Sequence, residues 1–512
     1  MVHSPLRSCG IRGAGVVLAL ALLLVPLLPD CRVCRANPAS GLFDVLNPGI
    51  ARDLGLGGDP FRSSLTDQAS WWGDSMQAAE AVLAYRLEYF EPISPRLTRG
   101  RGWLRHRGNE VRGASSVPVG NGRLFGQLGL THQDQELMAD DLGNRYSLTG
   151  KGGQGDLLLR LQGLPAGLAL QFSAPLGASS DRMRSMPLGI GIRYGIPDRI
   201  IFQASTVRRL YDHAVDLAIE DDTIASFLNL ARVISTVDTR IHLGAASWLA
   251  YTLRSNKFGN IDQLTDAYRY EIIPVGRSIA YELELVVGRK EDYAVLLRGV
   301  WLDFDVGGSA HWGGQRFGRI NYFKGDHRTG VVAFEKTGGG NTRWLADITV
   351  TELRGRVWGN IESWPFTDSL GDLLGARMTF KGRARAHWMR YHAGLDREVG
   401  RGRLKVGLAW YNIFPEAEVQ SWRSGLGFPL GSRDNYTLET DHLQLAAVSL
   451  GGSIPWGRFR CKGEVFQVVY GNIHNTLKRP EDNVEDPVEA AAARPTGWFG
   501  GTYARVGVHY RF

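Results

Sequence analysis

The sequence predicts an all-β fold, an antiparallel transmembrane β-barrel of about 18 strands, within a range of roughly 16 to 20. Three observations predict it. Segments of about 10 residues with two-residue alternation recur from Ala81 onward, separated by Gly, Pro, Asn and Asp. Beyond the N-terminal leader no apolar run approaches the roughly 18 residues that mark a spanning helix. A closed barrel is the other structure that satisfies its backbone in lipid, and alternate lipid-facing residues give the slightly negative mean hydropathy of −0.17.

The chain opens with Arg7 and Arg12, an apolar run from Gly13 to about Leu28, and polar residues leading to Cys34-Arg35-Ala36. This order is that of a secretory signal peptide, residues 1–36, cleaved after Ala36. Leu28, three before Cys31, leaves a lipoprotein site open, although Asp30 stands where such a site has a small residue. Cleavage removes Cys9, Cys31 and Cys34, so the remaining Cys461 has no internal disulfide partner. Residues 37–78 alternate little and are expected to be an N-terminal periplasmic lead-in or a small plug, with the barrel over 79–512.

In the first strand Leu83, Tyr85, Leu87 and Tyr89 alternate with Ala84, Arg86 and Glu88. Later, Ile279, Tyr281, Leu283, Leu285 and Val287 stand against Ala280, Glu282 and Glu284, and Leu404, Val406, Leu408 and Trp410 against Arg403 and Lys405. One apolar and one polar or small face is what a wall between lipid and a wet lumen requires. Short hairpin connections are expected at Gly163–Gly167, Gly195–Asp198, Gly288–Asp292, Thr337–Asn341 and Ile454–Gly457, and long polar ones at about 413–436 and 473–497. The parity of short and long turns is lost between about 290 and 345. The acid-rich stretch Leu210–Leu230 reads as a loop with a helical turn.

The chain ends in Val506-Gly507-Val508-His509-Tyr510-Arg511-Phe512. Val506, Val508, Tyr510 and the final Phe512 resemble the assembly signal of bacterial outer-membrane β-barrel proteins. That resemblance covers about ten residues and implies the bacterial outer membrane, its lipid, periplasmic chaperones and the barrel-assembly machinery as partners. Strand number and length are similar to large channels and polysaccharide-export barrels, and Gly427-Phe428-Pro429-Leu430-Gly431 resembles a loop of capsule-assembly barrels.

Basic residues are the candidates for function. Lys381, Arg383, Arg385 and His387 share one strand face; Arg403 and Lys405 form a second row, Arg458, Arg460 and Lys462 a third, Arg505, His509 and Arg511 a fourth. An Arg facing mid-bilayer hydrocarbon costs about 2–4 kcal/mol, so all four rows are expected to line the lumen. There they attract carboxylates or phosphates, or brace the wall against acids such as Glu282, Glu284, Glu439, Asp441 and Glu464. Most tryptophans, among them Trp71, Trp72, Trp248, Trp301, Trp344, Trp388, Trp410, Trp456 and Trp498, are expected in the lipid–water girdle.

The formal net charge of +7, nearly half of it carried by the leader, is mild for a nucleic-acid binder. No nucleophile elbow, phosphate loop or His-Glu-x-x-His motif occurs, so no enzyme, metal or cofactor is expected. The expected function is a channel or transporter passing or binding anionic solutes or anionic polysaccharide. The alternative is a non-conducting barrel that binds or assembles surface polysaccharide.

Overall fold

The computed structural model describes residues 81–511 apart from 94–99, 121, 142–143, 163–168, 177–188, 197–198, 220–221, 245–246, 260–269, 290–291, 313–314, 340, 362–376, 425–432, 479–495 and 499. The leader, the lead-in, the Gly427–Gly431 loop, Trp71, Trp72 and Phe512 therefore lie outside the described residues. Every long element in the described part is a strand. In order they are β1 (Ala81–Ile93), β2 (Gly100–Val119), β3 (Gly122–Asp141), β4 (Asn144–Gln162), β5 (Ala169–Leu176), β6 (Gly189–Ile196), β7 (Ile200–Ile219), β8 (Asp222–Gly244) and β9 (Ser247–Gly259). There follow β10 (Tyr270–Arg289), β11 (Tyr293–Trp312), β12 (Gln315–Gly338), β13 (Thr342–Ile361), β14 (Arg377–Val399), β15 (Gly402–Ser424), β16 (Arg433–Trp456), β17 (Phe459–Lys478), β18 (Thr496–Trp498) and β19 (Gly500–Arg511).

Sequential neighbours pair antiparallel, and β19 pairs with β1 from Val82↔Arg511 to Ile93↔Gly500, closing the wall. Both β18 and β19 pair with β17 and form the last strand in two pieces, so the described residues make 18 staves. Both ends of the barrel chain lie at one rim with the tight turns. Gly120, Gly400 and Gly457 adopt φ of 58°, 62° and 59° there, the positive values that two-residue hairpins require, and Asn341, at 54°, ends the three-residue loop between Gly338 and Thr342.

Two seams depart from a simple meander. Residues Gly155–Leu161 of β4 pair with β5, whereas Tyr146–Lys151 pair directly with β7, because the β5–β6 hairpin is only 8 residues tall. Beyond the end of β9, Ser226–Leu228 of β8 run parallel to Tyr270–Ile272 of β10. Pro415 sits in β15 at a register shift between Ile413 and Glu416, where the missing N–H interrupts the ladder to β16.

The two faces of the wall are set by register. On the outer face of β10 to β13, nearest the tight turns, lie Tyr281, Leu283, Val287, Tyr293, Leu297, Trp301, Val332, Phe334, Trp344, Ile348 and Val350, all exposed. Met389, Tyr391, Leu404, Val406, Leu408, Trp410, Val448, Leu450, Ile454 and Trp456 continue this belt round β14 to β16. It is an apolar band edged by aromatic rings, the surface of a structure that spans a membrane. Leu297→Arg, in mid-belt, is expected to destabilise the barrel by about 2–4 kcal/mol in urea unfolding from lipid vesicles. Its neighbour Arg298 is tolerated because it points the other way.

Glycines on both faces receive aromatic rings. A Cβ at Gly325 would strike the ring of Phe304 at 2.5 Å, and one at Gly355 would meet Phe323 at 3.1 Å. Gly359 likewise lies under Phe380, and Gly299 under Trp301 on the outer face. The rings of Phe304 and Phe323 thus pack over Gly325 and Gly355, their centroids 4.7 Å apart and their planes tilted by 34°.

The stretch Leu210–Leu230 is strand, not loop: β7 and β8 pair through it with only 220–221 between them. The connection expected at 413–436 is also mostly strand, since β15 runs to Ser424 and β16 begins at Arg433. Turn parity holds between 290 and 345, because β11 and β12 join at the far rim through 313–314 alone. One physical reason covers all three. A strand crosses hydrocarbon in about 10 residues, but β14 and β15 each have 23. The surplus stands in water, where neither face needs to be apolar and alternation disappears.

Candidate functional site

The inner face opposite the belt is tightly packed on β8 to β14, where buried apolar residues such as Val286, Leu296, Val300, Leu302 and Val331 alternate with clusters of charged ones. Asp238 and Arg240 of β8, Thr252 and Arg254 of β9, Glu282 and Glu284 of β10 and Arg298 of β11 occupy adjoining inner positions. Three carboxylates thus meet three guanidiniums. The Arg298 Nη2 donates to Glu284 Oε2 at 2.7 Å, and its Nε lies 3.1 Å from Glu282 Oε1. Trp248 donates its indole N–H to Glu284 Oε1 at 2.8 Å, and Arg240 lies over the same indole at 5.3 Å. Glu282 and Glu284 are each 1% exposed, so their charges are held by these partners and not by bulk water.

A second cluster sits further round the wall, between β13 and β14. Asp347 of β13 accepts from Arg390 of β14 and lies 2.8 Å from Nδ1 of His392. Arg390 also donates to Thr349 at 3.1 Å. Gly407 of β15 keeps room between His392 and Ser449, since a Cβ there would meet Ser449 Oγ at 2.5 Å and His392 Nε2 at 3.2 Å. A third cluster lies at the tight-turn rim. Asp396 of β14 is approached by Arg403 at 3.2 Å, Arg343 at 3.4 Å and Lys405 at 3.8 Å, and Arg343 also reaches Glu335 at 3.1 Å.

The register separates the four predicted basic rows. Arg403 and Lys405 pair with Glu398 and Asp396 and lie on the inner face. Across the small inner positions Gly451, Ser453 and Pro455 of β16 come Glu464, Lys462 and Arg460 of β17, and then Arg505, Gly507 and His509 of β19. Arg458 is in the turn between β16 and β17, and Arg511 follows His509 by two residues, at a further inner position. Val506, Val508 and Tyr510 take outer positions, opposite Gly463, Cys461 and Phe459. Arg403, Lys405 and Arg460, with the inner register positions beside them, mark out a cationic collar at the tight-turn rim.

Lys381, Arg383, Arg385 and His387 are elsewhere. They pair with Trp358, Arg356, Arg354 and Glu352 of β13 and continue, two residues at a time, the outer face that carries Met389 and Tyr391. The expectation that this row faces the lumen is therefore corrected. These residues stand beyond the belt, where a charge on the outer wall meets water, so the cost of arginine in hydrocarbon does not decide their side. Arg383 is bound to Glu418 at 2.6 Å, and Arg385 to Glu352 at 3.1 Å.

Tryptophan divides too. Trp301, Trp344, Trp410 and Trp456 are exposed on the outer belt, the last by 77%. Trp248 is an inner residue through its bond to Glu284, and Trp388 lies on the inner face 5.9 Å from the His327 ring. Arg298, Asp347, Arg390 and Asp396 escape sequence reasoning. Arg298 is embedded in Val295-Leu296-Leu297-Arg298-Gly299-Val300-Trp301, apolar on both faces, so only its even spacing from the buried Leu296 and Val300 marks its side.

No protein-family model and no curated protein matches the chain. Among solved structures, OccAB2 of Acinetobacter baumannii is 10% identical, with a TM-score of 0.36 over 86% of this chain and 100% of that one. OccK2 (OpdF) of Pseudomonas aeruginosa, in complex with glucuronate, is 12% identical, with a TM-score of 0.34 over 85% and 99%. A bacterial polysaccharide outer membrane secretin is 10% identical, with a TM-score of 0.28 over 84% and 98%. Likeness of this degree carries nothing about cargo, and the membrane-spanning barrel stands on its own register and belt.

Proposed function

We propose that this chain is a bacterial outer-membrane channel whose lumen admits or holds anionic solutes or an anionic polysaccharide. The observation that carries the reading is the collar. Three cations converge on Asp396, one of them, Arg343, held also by Glu335, and the Arg403 and Lys405 side chains stay 40% and 34% exposed beside it. Arg460, exposed on the inner face of β17, is a further cation at this rim. Exposed cations at a channel mouth walled by low-dielectric protein raise the local concentration of anions and present guanidinium forks to carboxylates and phosphates.

Glu282, Glu284, Arg254 and Arg298, almost wholly buried on the inner face, favour a second reading. A wall packed so closely suits a constricted lumen and a barrel that binds or assembles surface polysaccharide without conducting. Reconstitution of the purified full chain in a planar bilayer under a potassium chloride gradient separates the two. The channel reading expects conductance with a reversal potential of the anion-selective sign; a cation-selective barrel overturns it. A silent barrel, with surface polymer lost on deletion of Gly427–Gly431, supports the second reading.

A further inference from the structure

The arginines that the register removes from the lumen form a site of their own. On the outer face just beyond the belt, Arg354 of β13 lies directly opposite Arg385 of β14, and Arg356 directly opposite Arg383. Like charges set face to face across a ladder are destabilising unless an anion lies between them. One pair has such an anion in the chain: Glu352 lies 2.6 Å from Arg354 and 3.1 Å from Arg385. The other is poorly supplied. Arg383 is turned to Glu418 of β15, while Arg356, exposed, has no carboxylate partner among the described residues.

Above this quartet the outer face becomes aromatic. Tyr322 pairs with Trp358, their rings 5.8 Å apart in an edge contact, and the Lys324 ammonium lies 5.5 Å from the Tyr322 ring. Below it, Ile348 and Val350 of β13 and Met389 and Tyr391 of β14 begin the belt. Hydrocarbon contact, then paired guanidiniums, then aromatic faces follow one another outward along the same two strands.

We propose that this outer face of β12 to β14 binds the headgroup of a phosphate-bearing glycolipid in the leaflet at the far rim. Its acyl chains lie on the belt, a phosphate lies between Arg356 and Arg383, and sugar rings lie against Tyr322 and Trp358. Each part matches the chemistry it meets: planar forks take phosphate oxygens bidentately, and aromatic rings take apolar sugar faces. The site is independent of whether the lumen conducts.

The test uses the full-length folded barrel in detergent micelles doped with a diphosphorylated glycolipid, or with the same lipid stripped of phosphate, scored by the lipid retained in native mass spectrometry. Wild type is expected to retain the phosphorylated lipid preferentially, and excess inorganic phosphate to displace it only in part. R356Q/R383Q is expected to retain it about thirtyfold less, at roughly fivefold or so per cation near a membrane surface. R397Q, on the outer face at the opposite rim, serves as control and is expected to bind as wild type. Heat-dependent gel mobility confirms that each variant is folded. Equal retention of the two lipids, undiminished retention by folded R356Q/R383Q, or full displacement by inorganic phosphate overturns the proposal.

Discussion

Arg298→Leu is expected to lower the stability of the barrel by about 3–5 kcal/mol, read as an earlier urea midpoint for refolding into lipid vesicles. The size follows from what the substitution leaves behind. Glu282 and Glu284 keep their place on the inner wall at 1% exposure, with the cation between them gone. Trp248 still donates to Glu284, but one neutral N–H does not replace a guanidinium that touches both acids. The companion E282L/E284L/R298L removes both acids together with the guanidinium that joins them, leaves Asp238 beside Arg240 and Arg254, and is expected to cost less than R298L, because no buried carboxylate is stripped of its cation. If R298L costs less than the triple variant, the cluster is wet and the inner wall is open there.

The second large effect is a contrast between two double variants with the same formal charge change. R403E/K405E is expected to move the reversal potential toward cations, and R383E/R385E to leave it where it was. A unit charge about 7 Å from a permeating ion in water contributes roughly 0.6 kcal/mol, or about threefold in relative permeability. The first variant reverses two charges that line the inner rim beside Asp396; the second alters only the outer surface. Equal shifts from the two variants would mean that the conducting path does not run past the collar.

These two variants also mark how far the sequence could be read. Alternation identified the barrel and the lipid face of the closing strand, because each rests on the ten or so residues that cross hydrocarbon. Arg403 and Lys405 lie within that span of β15, and Leu404, Val406 and Leu408 beside them assign their side. Lys381 to His387 have the same alternation in letters, but Ala384 and Ala386 between them are small, not lipophilic, and carry no information about lipid. Only the register to Tyr391 and Met389 tells which way those arginines face. The ion clusters were illegible for another reason. Asp347 meets Arg390 and His392 across 43 and 45 residues of chain, and such a distance is closed by strand pairing, which no local pattern encodes.

The two irregular seams make the ends of the barrel unlike. Barrel girth grows with the number of staves, and the wall is fullest at the tight-turn rim, where β5, β6 and β9 all take part. Higher up, β4 closes directly on β7 and β8 on β10, so the circumference loses first a hairpin and then a single stave. The vessel tapers away from the cationic collar. Whatever enters at that rim meets its fixed charges at full width and the converging wall only afterwards, so the two openings are not interchangeable as entrance and exit.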